Sequence, residues 1–294
     1  MIQSLAAECH WRFAAVITKM RPMLFARSSF IWALILVGCG GAQPASNVAA
    51  PPSPSAVATP APAASATEVR GPAQTVVAAA DRSEADRALD AGRKPAELLT
   101  FLAVAPGMRV ADLAAGGGYT TELLARMVGD TGTVYGQNTK FILGFAEKPW
   151  SERLTKPVMK RVVRIDSEFD EPLPADVKNL DLVTLVLFYH DTVWMKTDRA
   201  RMNRNIFGAL KSGGIFGVVD HSAKAGAGLD DVQTLHRIEE SIVKTEIEQA
   251  GFVLDAEADF LREPGDARDW SASPKTAGER RGHSDRFVLR FKKP

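Results

Sequence analysis

Strand-like and helix-like segments alternate over the last two thirds of this 294-residue sequence, and this alternation limits the fold more than any other feature. The segments with the apolar composition of buried strands are residues 109–114, 132–138, 162–166, 180–190, 213–221, 251–254 and 286–291. Intervening helices make consecutive strands parallel, whereas the seventh follows the sixth closely enough to pair with it as an antiparallel hairpin. The sequence therefore predicts an α/β domain with a doubly wound, mostly parallel seven-stranded sheet and a C-terminal antiparallel hairpin.

The helices between these strands are predicted from apolar periodicity. Leu98, Leu99 and Leu102 fall on one stripe of a helix that starts at Pro95, and Pro106 with the glycine after it ends that helix. Further helices are predicted at residues 119–127, 199–210 and 229–250, with a turn at residues 211–214 before the fifth strand.

The N-terminal segment has the composition of a secretory signal. Arg21 and Arg27 precede the apolar run 30–37, and small residues follow that run. The run is too short to span a membrane as a mature helix. Met20 or Met23 would start a better-proportioned signal than the first residue of the chain does.

Residues 36–39, Leu-Val-Gly-Cys, resemble the lipobox of bacterial lipoproteins. The resemblance implies that Cys39 is the lipidated first residue of an exported, periplasmic protein. Gly40 stands where an Asp would retain an enterobacterial lipoprotein at the inner membrane, so the outer membrane is favoured. The alternative is a buried N-terminal helix that ends in an ordinary cysteine.

Composition divides the chain into three parts. Residues 28–67 contain no Lys, Arg, Asp or Glu, and prolines recur among Ala, Ser and Thr from residue 43 onward. We expect a signal at residues 1–38, a tether at 39–80 and a single folded domain at 81–294. About 220 residues are enough for one α/β domain with a full core.

Charge, hydrophobicity and cysteine content exclude several classes of protein. The 36 basic and 35 acidic residues give a net charge of +1, which argues against a nucleic-acid-binding face. A hydrophobic content of 46% argues against general disorder. The two cysteines, Cys9 and Cys39, rule out a disulfide scaffold. We expect a small-molecule substrate and a membrane contact only through the lipid on Cys39, while the oligomeric state is open.

A glycine-rich loop joins the first predicted strand to a helix. Residues 116–118 are all glycine and precede the helical run that starts at Tyr119. Such a loop lets a ligand approach the backbone at a helix N-terminus, where free N–H groups collect polar or anionic groups. The dinucleotide pattern G-x-G-x-x-G fails at Thr121, which disfavours a nicotinamide oxidoreductase.

The segment from Val110 to Gly118 resembles the first motif of class I S-adenosylmethionine-dependent methyltransferases, in which an apolar strand, an acid and a glycine loop follow one another. The resemblance implies their Rossmann-like methyltransferase fold and S-adenosyl-L-methionine as the cofactor. It also covers residues 188–194, 219–222 and 235–238, which are similar to a group of bacterial predicted methyltransferases. The residues it assigns to cofactor binding here are Asp112, Ala114, Gly116, Gly118 and Tyr119. For Asp112, a turn or helix cap is the alternative.

The second strand departs from the family pattern. The family usually ends this strand with an acid that holds the ribose hydroxyls, and this chain has Gln137 and Asn138 instead. Asn138 is expected to bind the ribose through its amide, more weakly than a carboxylate would. By the same resemblance Asp166, which ends strand 3, is expected to contact the adenine amino group of the cofactor, with a simple strand-end cap as the alternative. Tyr189, at the end of strand 4, is also assigned to the cofactor site.

Two histidine–aspartate neighbours are predicted at the carboxyl edge of the sheet, where ligands of such folds bind. His190 with Asp191 ends strand 4, and His221 with Asp220 ends strand 5. We expect one histidine to be the base that deprotonates the methyl acceptor and an aspartate to orient it. Each histidine taken alone is better explained as a strand-end residue bonded to backbone, and it is the convergence of two His–Asp neighbours on one edge that favours catalysis. These four residues are possible metal ligands, but no tight spacing supports a metal, and none is expected.

Residues 262–285 form a long polar connection that is either a lid over the acceptor or a solvent loop. The sequence thus predicts a methyltransferase acting on an unidentified, small acceptor. A lipid-tethered binding module that kept the fold without catalysis is the alternative, because export would remove the domain from the cytoplasmic supply of the cofactor.

Overall fold

The computed structural model describes residues 71–294, and the signal, Cys39 and the Pro-rich part of the tether lie outside this range. Seven strands form one sheet in the order β3-β2-β1-β4-β5-β7-β6. Their bounds are β1 Arg109–Leu113, β2 Thr133–Asn138, β3 Val162–Asp166, β4 Leu180–Val186, β5 Leu210–His221, β6 Val253–Ala258 and β7 Arg286–Lys292. β7 pairs antiparallel with both β5 and β6, and all the other strand pairs are parallel, so the predicted fold class is confirmed.

Eight helices cover the two faces of the sheet within residues 71–294. They are α1 Pro72–Val77, α2 Glu84–Arg93, α3 Pro95–Phe101, α4 Tyr119–Val128, α5 Lys140–Leu154, α6 Tyr189–Trp194, α7 Arg199–Ala209 and α8 Glu240–Glu248. One apolar core includes residues of α3, α4 and β1, and the other includes residues of α7, α8 and β4. The stripe predicted from Leu98, Leu99 and Leu102 is buried as expected.

The folded chain starts before the predicted boundary at residue 81. α1 lies in the stretch assigned to the tether, and Ala73 within it is buried in the core shared with α3 and α4. No helix among residues 71–294 is long and apolar enough to cross a membrane.

The predicted end of β4 and the predicted helix at residues 229–250 are both wrong. β4 ends at Val186 because Leu187 adopts a left-handed φ of 59°, so the predicted strand end at residues 188–190 instead leads into α6. The predicted helix 229–250 is helical only in α8. The preceding residues turn back toward β5, and Ile238 pairs with Ser222 in an isolated parallel bridge.

Two strand starts also differ from the prediction. β5 begins at Leu210, and the predicted turn at residues 211–214 is an irregularity inside its pairing with β4. Gly213 in that irregularity has a φ of 77°. β6 begins at Val253, two residues later than expected.

Candidate functional site

The sheet order reverses direction between β1 and β4, and parallel strands open a crevice beyond their carboxyl ends at such a point. The glycine loop follows β1 at this edge, and α6 follows β4. The register pairs Asp112 with Gly136 on one side and with Thr184 on the other. Most of the predicted site residues therefore follow the strand ends that surround this switch point.

Two amide side chains at the end of β2 fix the glycine loop. Gln137 accepts a hydrogen bond from the Ala114 N–H at 3.1 Å and donates to the Ser167 carbonyl at 2.7 Å. Asn138 accepts from the Gly116 N–H at 2.8 Å and donates to the Gly116 carbonyl at 3.1 Å. These bonds hold a loop in which Ala114 and Gly116 have φ of 54° and 56°.

The loop leaves a free surface over its backbone. A Cβ added to Gly116 would meet only the Ala114 carbonyl oxygen, at 3.9 Å. Gly118 has a φ of 85° and starts α4 without a side-chain cap, which leaves the first-turn N–H groups of that helix at the carboxyl edge. The open space therefore lies over Gly116, beside a helix N-terminus, whereas Gly118 is buried and a Cβ there would meet Trp150 and Arg153 at 2.7 Å.

The buried carboxylate of Asp112 stabilises the region around the glycine loop through hydrogen bonds. It is 2% exposed and accepts hydrogen bonds from the hydroxyls of Thr121 at 2.6 Å and Thr184 at 2.8 Å. Burial raises the pKa of Asp112 to about 6, although both hydroxyl bonds favour the ionised form. Its contacts link β1 to α4 and β4, and it also accepts the backbone N–H of Thr121 in the first turn of α4, as the helix-cap alternative expects.

A buried ionic network that the sequence analysis did not identify holds the outer side of the loop. Arg153 of α5 donates to the Gly117 carbonyl and to both carboxylate oxygens of Asp86. It also pairs with Glu122, whose pKa is lowered by Arg126, Lys156 and Arg153 against the opposing effect of burial. Because these residues lie on separate helices far apart in sequence, no local pattern indicates that they meet.

Three predicted cofactor residues have other surroundings. Tyr189 is fully buried, and its hydroxyl donates to Glu246 of α8 and accepts from Asn203 of α7, so its place in the cofactor site stays a prediction. Asn138 is fully buried with its amide bound to the backbone of Gly116, so the amide predicted to bind the ribose also holds the glycine loop. Asp166 ends β3 as expected and forms an ion pair with Arg164.

Tyr119 forms part of a cleft between the N-terminal helices and the C-terminal strands. Its hydroxyl donates to Asp90 at 2.6 Å, and the guanidinium of Arg93 lies 4.5 Å from its ring centre. Residues that line this cleft and its continuation include Tyr119, Leu187, His221, Arg93, Arg281 and Arg286.

The arginines give this cleft a positive character. Arg286 is buried and donates to the carbonyls of Gly92 and Gly282. Burial, together with the charge of Arg93, lowers the pKa of Arg286 to about 10. Burial likewise lowers the pKa of Arg93, and the nearby charge of Arg281 adds to that effect. An anion in the cleft would relieve this repulsion.

The four predicted catalytic residues do come together, with α6 carrying two of them. The Nδ1 atom of His190 lies 2.8 Å from Asp220, which also accepts the His190 backbone N–H at 2.7 Å. The ring of His190 lies 5.8 Å from that of His221 and 5.3 Å from that of His236. Asp191 contacts both His190 and His236. His236 was missed because residues 229–250 were expected to be one helix.

Neighbouring charges shift the pKa values of the two predicted bases in opposite directions. Burial lowers the pKa of His190, but the carboxylates of Asp220 and Asp191 outweigh it and raise the value to about 10. Burial lowers the pKa of His221 well below its usual range, and the charges of His190 and Arg286 add to this. His221 is therefore the neutral imidazole that lines the cleft.

The connection between β6 and β7 covers this edge of the sheet. Asp266 and Asp285 within it are held by Arg237 and Arg268, and Ser284 lies 2.7 Å from the Nδ1 atom of His221. Asp285 and Ser284 are buried, so this segment packs against the site and is not a loop in solvent.

Comparison with known proteins supports the methyltransferase interpretation. Residues 80–147 match the family model of protein-L-isoaspartate(D-aspartate) O-methyltransferase. This stretch contains β1, the glycine loop and β2. No curated protein matches the sequence.

Solved methyltransferase structures superpose on most of the chain at low sequence identity. A SAM-dependent methyltransferase from Aquifex aeolicus is 15% identical, with a TM-score of 0.51 over 76% of this chain and 100% of that one. A candidate sarcosine dimethylglycine methyltransferase from Galdieria sulphuraria is 15% identical, with a TM-score of 0.52 over 72% of this chain and 91% of that one. The chain thus has the Rossmann-like fold of class I S-adenosylmethionine-dependent methyltransferases, and the resemblance drawn from the first motif is confirmed.

Replacing Asn138 tests whether its amide serves the loop. Asn138→Asp keeps the acceptor but removes the donor to the Gly116 carbonyl, so we expect a loss of about 1–3 kcal/mol in the free energy of unfolding. Asn205 is a matched control, because its amide makes the same reciprocal pair of bonds with Leu173, at 3.0 Å each. Urea unfolding should show similar losses for Asn138→Asp and Asn205→Asp. An unchanged midpoint for Asn138→Asp alone would contradict the assignment.

Proposed function

We propose that this protein transfers a methyl group from S-adenosyl-L-methionine to a small acceptor. The observation that carries the proposal is the open cradle at Gly116, in a loop fixed by Gln137 and Asn138 at the switch point of a methyltransferase fold. When bound, the cofactor supplies an activated methyl group on a positively charged sulfur. Gly116, Gly118 and the N-terminus of α4 would hold it, while Asp112 keeps the loop in position.

The cleft beside Tyr119 is the acceptor site in this proposal. Arg93 and Arg286 line both this cleft and its continuation toward His221, and Arg281 lines the continuation, so an acceptor with a carboxylate or another anionic group fits the charge there. His221 would take the proton that the acceptor's hydroxyl or amine loses as it gains the methyl group. Methyl transfer is an in-line displacement, so the main task of the cleft is to align the acceptor and exclude water.

The cofactor claim predicts a specific effect of filling the cradle. Gly116→Ala adds a methyl group over the loop, and we expect it to weaken binding of S-adenosylhomocysteine about tenfold or more in isothermal titration. Gly228→Ala is the control, because Gly228 has nearly the same φ, 55° against 56°, and nothing within 4 Å of an added Cβ. The control should bind as tightly as the wild type, and NAD should give no binding to any of the three proteins.

Equal affinity in Gly116→Ala and Gly228→Ala would mean that the ligand does not lie over the loop. Failure of the wild type to bind both S-adenosylmethionine and S-adenosylhomocysteine would overturn the cofactor claim itself.

The base claim predicts a loss of turnover without a loss of cofactor binding. His221→Gln should reduce formation of S-adenosylhomocysteine about tenfold or more, measured with a panel of small hydroxy and amino acids, while its affinity for S-adenosylhomocysteine stays at the wild-type value. His283→Gln, at an exposed position in the connection between β6 and β7, should leave both quantities unchanged. Wild-type turnover in His221→Gln would refute this role. Binding with no turnover of any acceptor by the wild type would favour the non-catalytic module.

We further propose that the domain is exported and anchored through lipid on Cys39, on the evidence of the lipobox-like residues 36–39 and the uncharged stretch around them. In a bacterial host, Cys39→Ala should move the protein from the detergent phase to the aqueous phase of a detergent partition. Cys9→Ala is the control and should stay in the detergent phase. Aqueous partition of the wild type would contradict the anchor.

A further inference from the structure

Three side chains converge beside the acceptor cleft in a way that methyl transfer does not require. They are His190 and Asp191 of α6 and His236 of the segment that turns back before α8. Each residue offers one ligand atom, and the three atoms lie within 4.8 Å of one another. Among residues 71–294, these three side chains form a group that could hold a metal ion. His190 is buried, and the other two are half-buried.

The distances between the three ligand atoms match those around a tetrahedral metal ion. Nε2 of His190 lies 3.2 Å from Oδ1 of Asp191, Nδ1 of His236 lies 3.4 Å from the same oxygen, and the two nitrogens are 3.3 Å apart. Zinc binds imidazole nitrogen at about 2.0–2.1 Å and carboxylate oxygen at about 2.0–2.2 Å, so three of its ligands lie about 3.3–3.5 Å from one another. From this geometry we propose that His190, Asp191 and His236 bind a divalent transition-metal ion.

Neighbouring residues orient two of the three ligands. Asp220 is fully buried and lies 2.8 Å from Nδ1 of His190, so the Nδ1–H of that ring donates to the carboxylate and Nε2 is directed to the site, where a metal ion would displace the Nε2 proton. Metal-bound histidines in proteins are commonly held by a carboxylate in this way. The indole N–H of Trp194 donates to Oδ1 of Asp191 at 2.7 Å. Asp220 is therefore a positioning residue for the metal site.

The backbone conformation at His236 places its imidazole at the proposed metal site. His236 has a left-handed φ of 51°, a conformation that is unfavourable for residues with a side chain and is found preferentially at functional sites. The next residue, Arg237, forms a fully buried ion pair with Asp266 at 2.8 Å. Ile238 then donates to the His221 carbonyl at 3.0 Å, so the segment is fixed on both sides of this strained residue.

The ligand set indicates which ions the site would take. Two imidazoles and one carboxylate suit zinc, iron, cobalt or nickel better than magnesium or calcium, which prefer oxygen ligands. Three protein ligands leave at least one coordination position for water or for an oxygen of the acceptor. The half-exposed His236 leaves that side of the site open to solvent.

The competing explanation is a hydrogen bond between the rings of His190 and His236 with no metal present. The two explanations differ in what zinc does to the protein. The titration that separates them requires no methyl donor, so its result is independent of whether the protein binds S-adenosylmethionine.

The test is calorimetric titration of the full, chelator-treated protein with zinc chloride. We expect one ion per chain at micromolar affinity or tighter, and a loss of about 100-fold or more in His236→Ala. His283→Ala is the matched control and should bind as the wild type does, because His283 is exposed outside the cluster. Asp191→Asn, which keeps an acceptor for Trp194 but removes the charge, should also bind more weakly.

The half-exposed position of His236 means that His236→Ala should fold, and its thermal midpoint without metal checks this. Absence of stoichiometric zinc binding by the wild type would overturn the proposal. Equal affinity in the wild type and in both His236→Ala and Asp191→Asn would also overturn it.

Discussion

The hydrogen bonds between the side chains of Gln137 and Asn138 and the backbone of the glycine loop are the interactions on which the site depends. They use neutral amides, which can donate and accept at once, to fix Ala114 and Gly116 in left-handed conformations. A carboxylate could accept from this loop but could not donate to the Gly116 carbonyl. The replacement of the acid usual at this position therefore has a physical explanation: the second strand of this chain supports the loop directly.

The charged residues that support the glycine loop are largely buried, so each depends on its hydrogen-bond or ion-pair partners for stability. Asp112, Glu122 and Arg153 are all largely removed from water, and each is stabilised by several hydrogen bonds or opposite charges. Removing one partner of such a buried charge would lower the free energy of unfolding by about 3–5 kcal/mol. Contacts of these residues join the glycine loop to α4 and α5. Replacing one of them would therefore also disturb the loop around Gly116.

The sequence predicts the sheet well because strand and helix periodicities alternate, and β3 was located to the residue. It predicts the convergence of His190 and His221 because both follow parallel strands. It fails where a single left-handed residue redirects the chain, as Leu187 does after β4 and His236 does before α8. His190 and His236 are 46 residues apart in the sequence, and their contact depends on the left-handed conformations of Leu187 and His236. No local sequence pattern therefore indicates this contact.

The central claim is that the fixed glycine loop forms the cofactor site at the carboxyl edge of the sheet. A crystal structure of the protein with S-adenosylhomocysteine tests it most directly. The account predicts the ligand over Gly116 and Gly118, with its sulfur directed toward the cleft lined by Arg93 and His221 and with the Asn138 bonds to Gly116 intact. A ligand bound away from the loop, or bound to the Asn138 amide in place of Gly116, would contradict it.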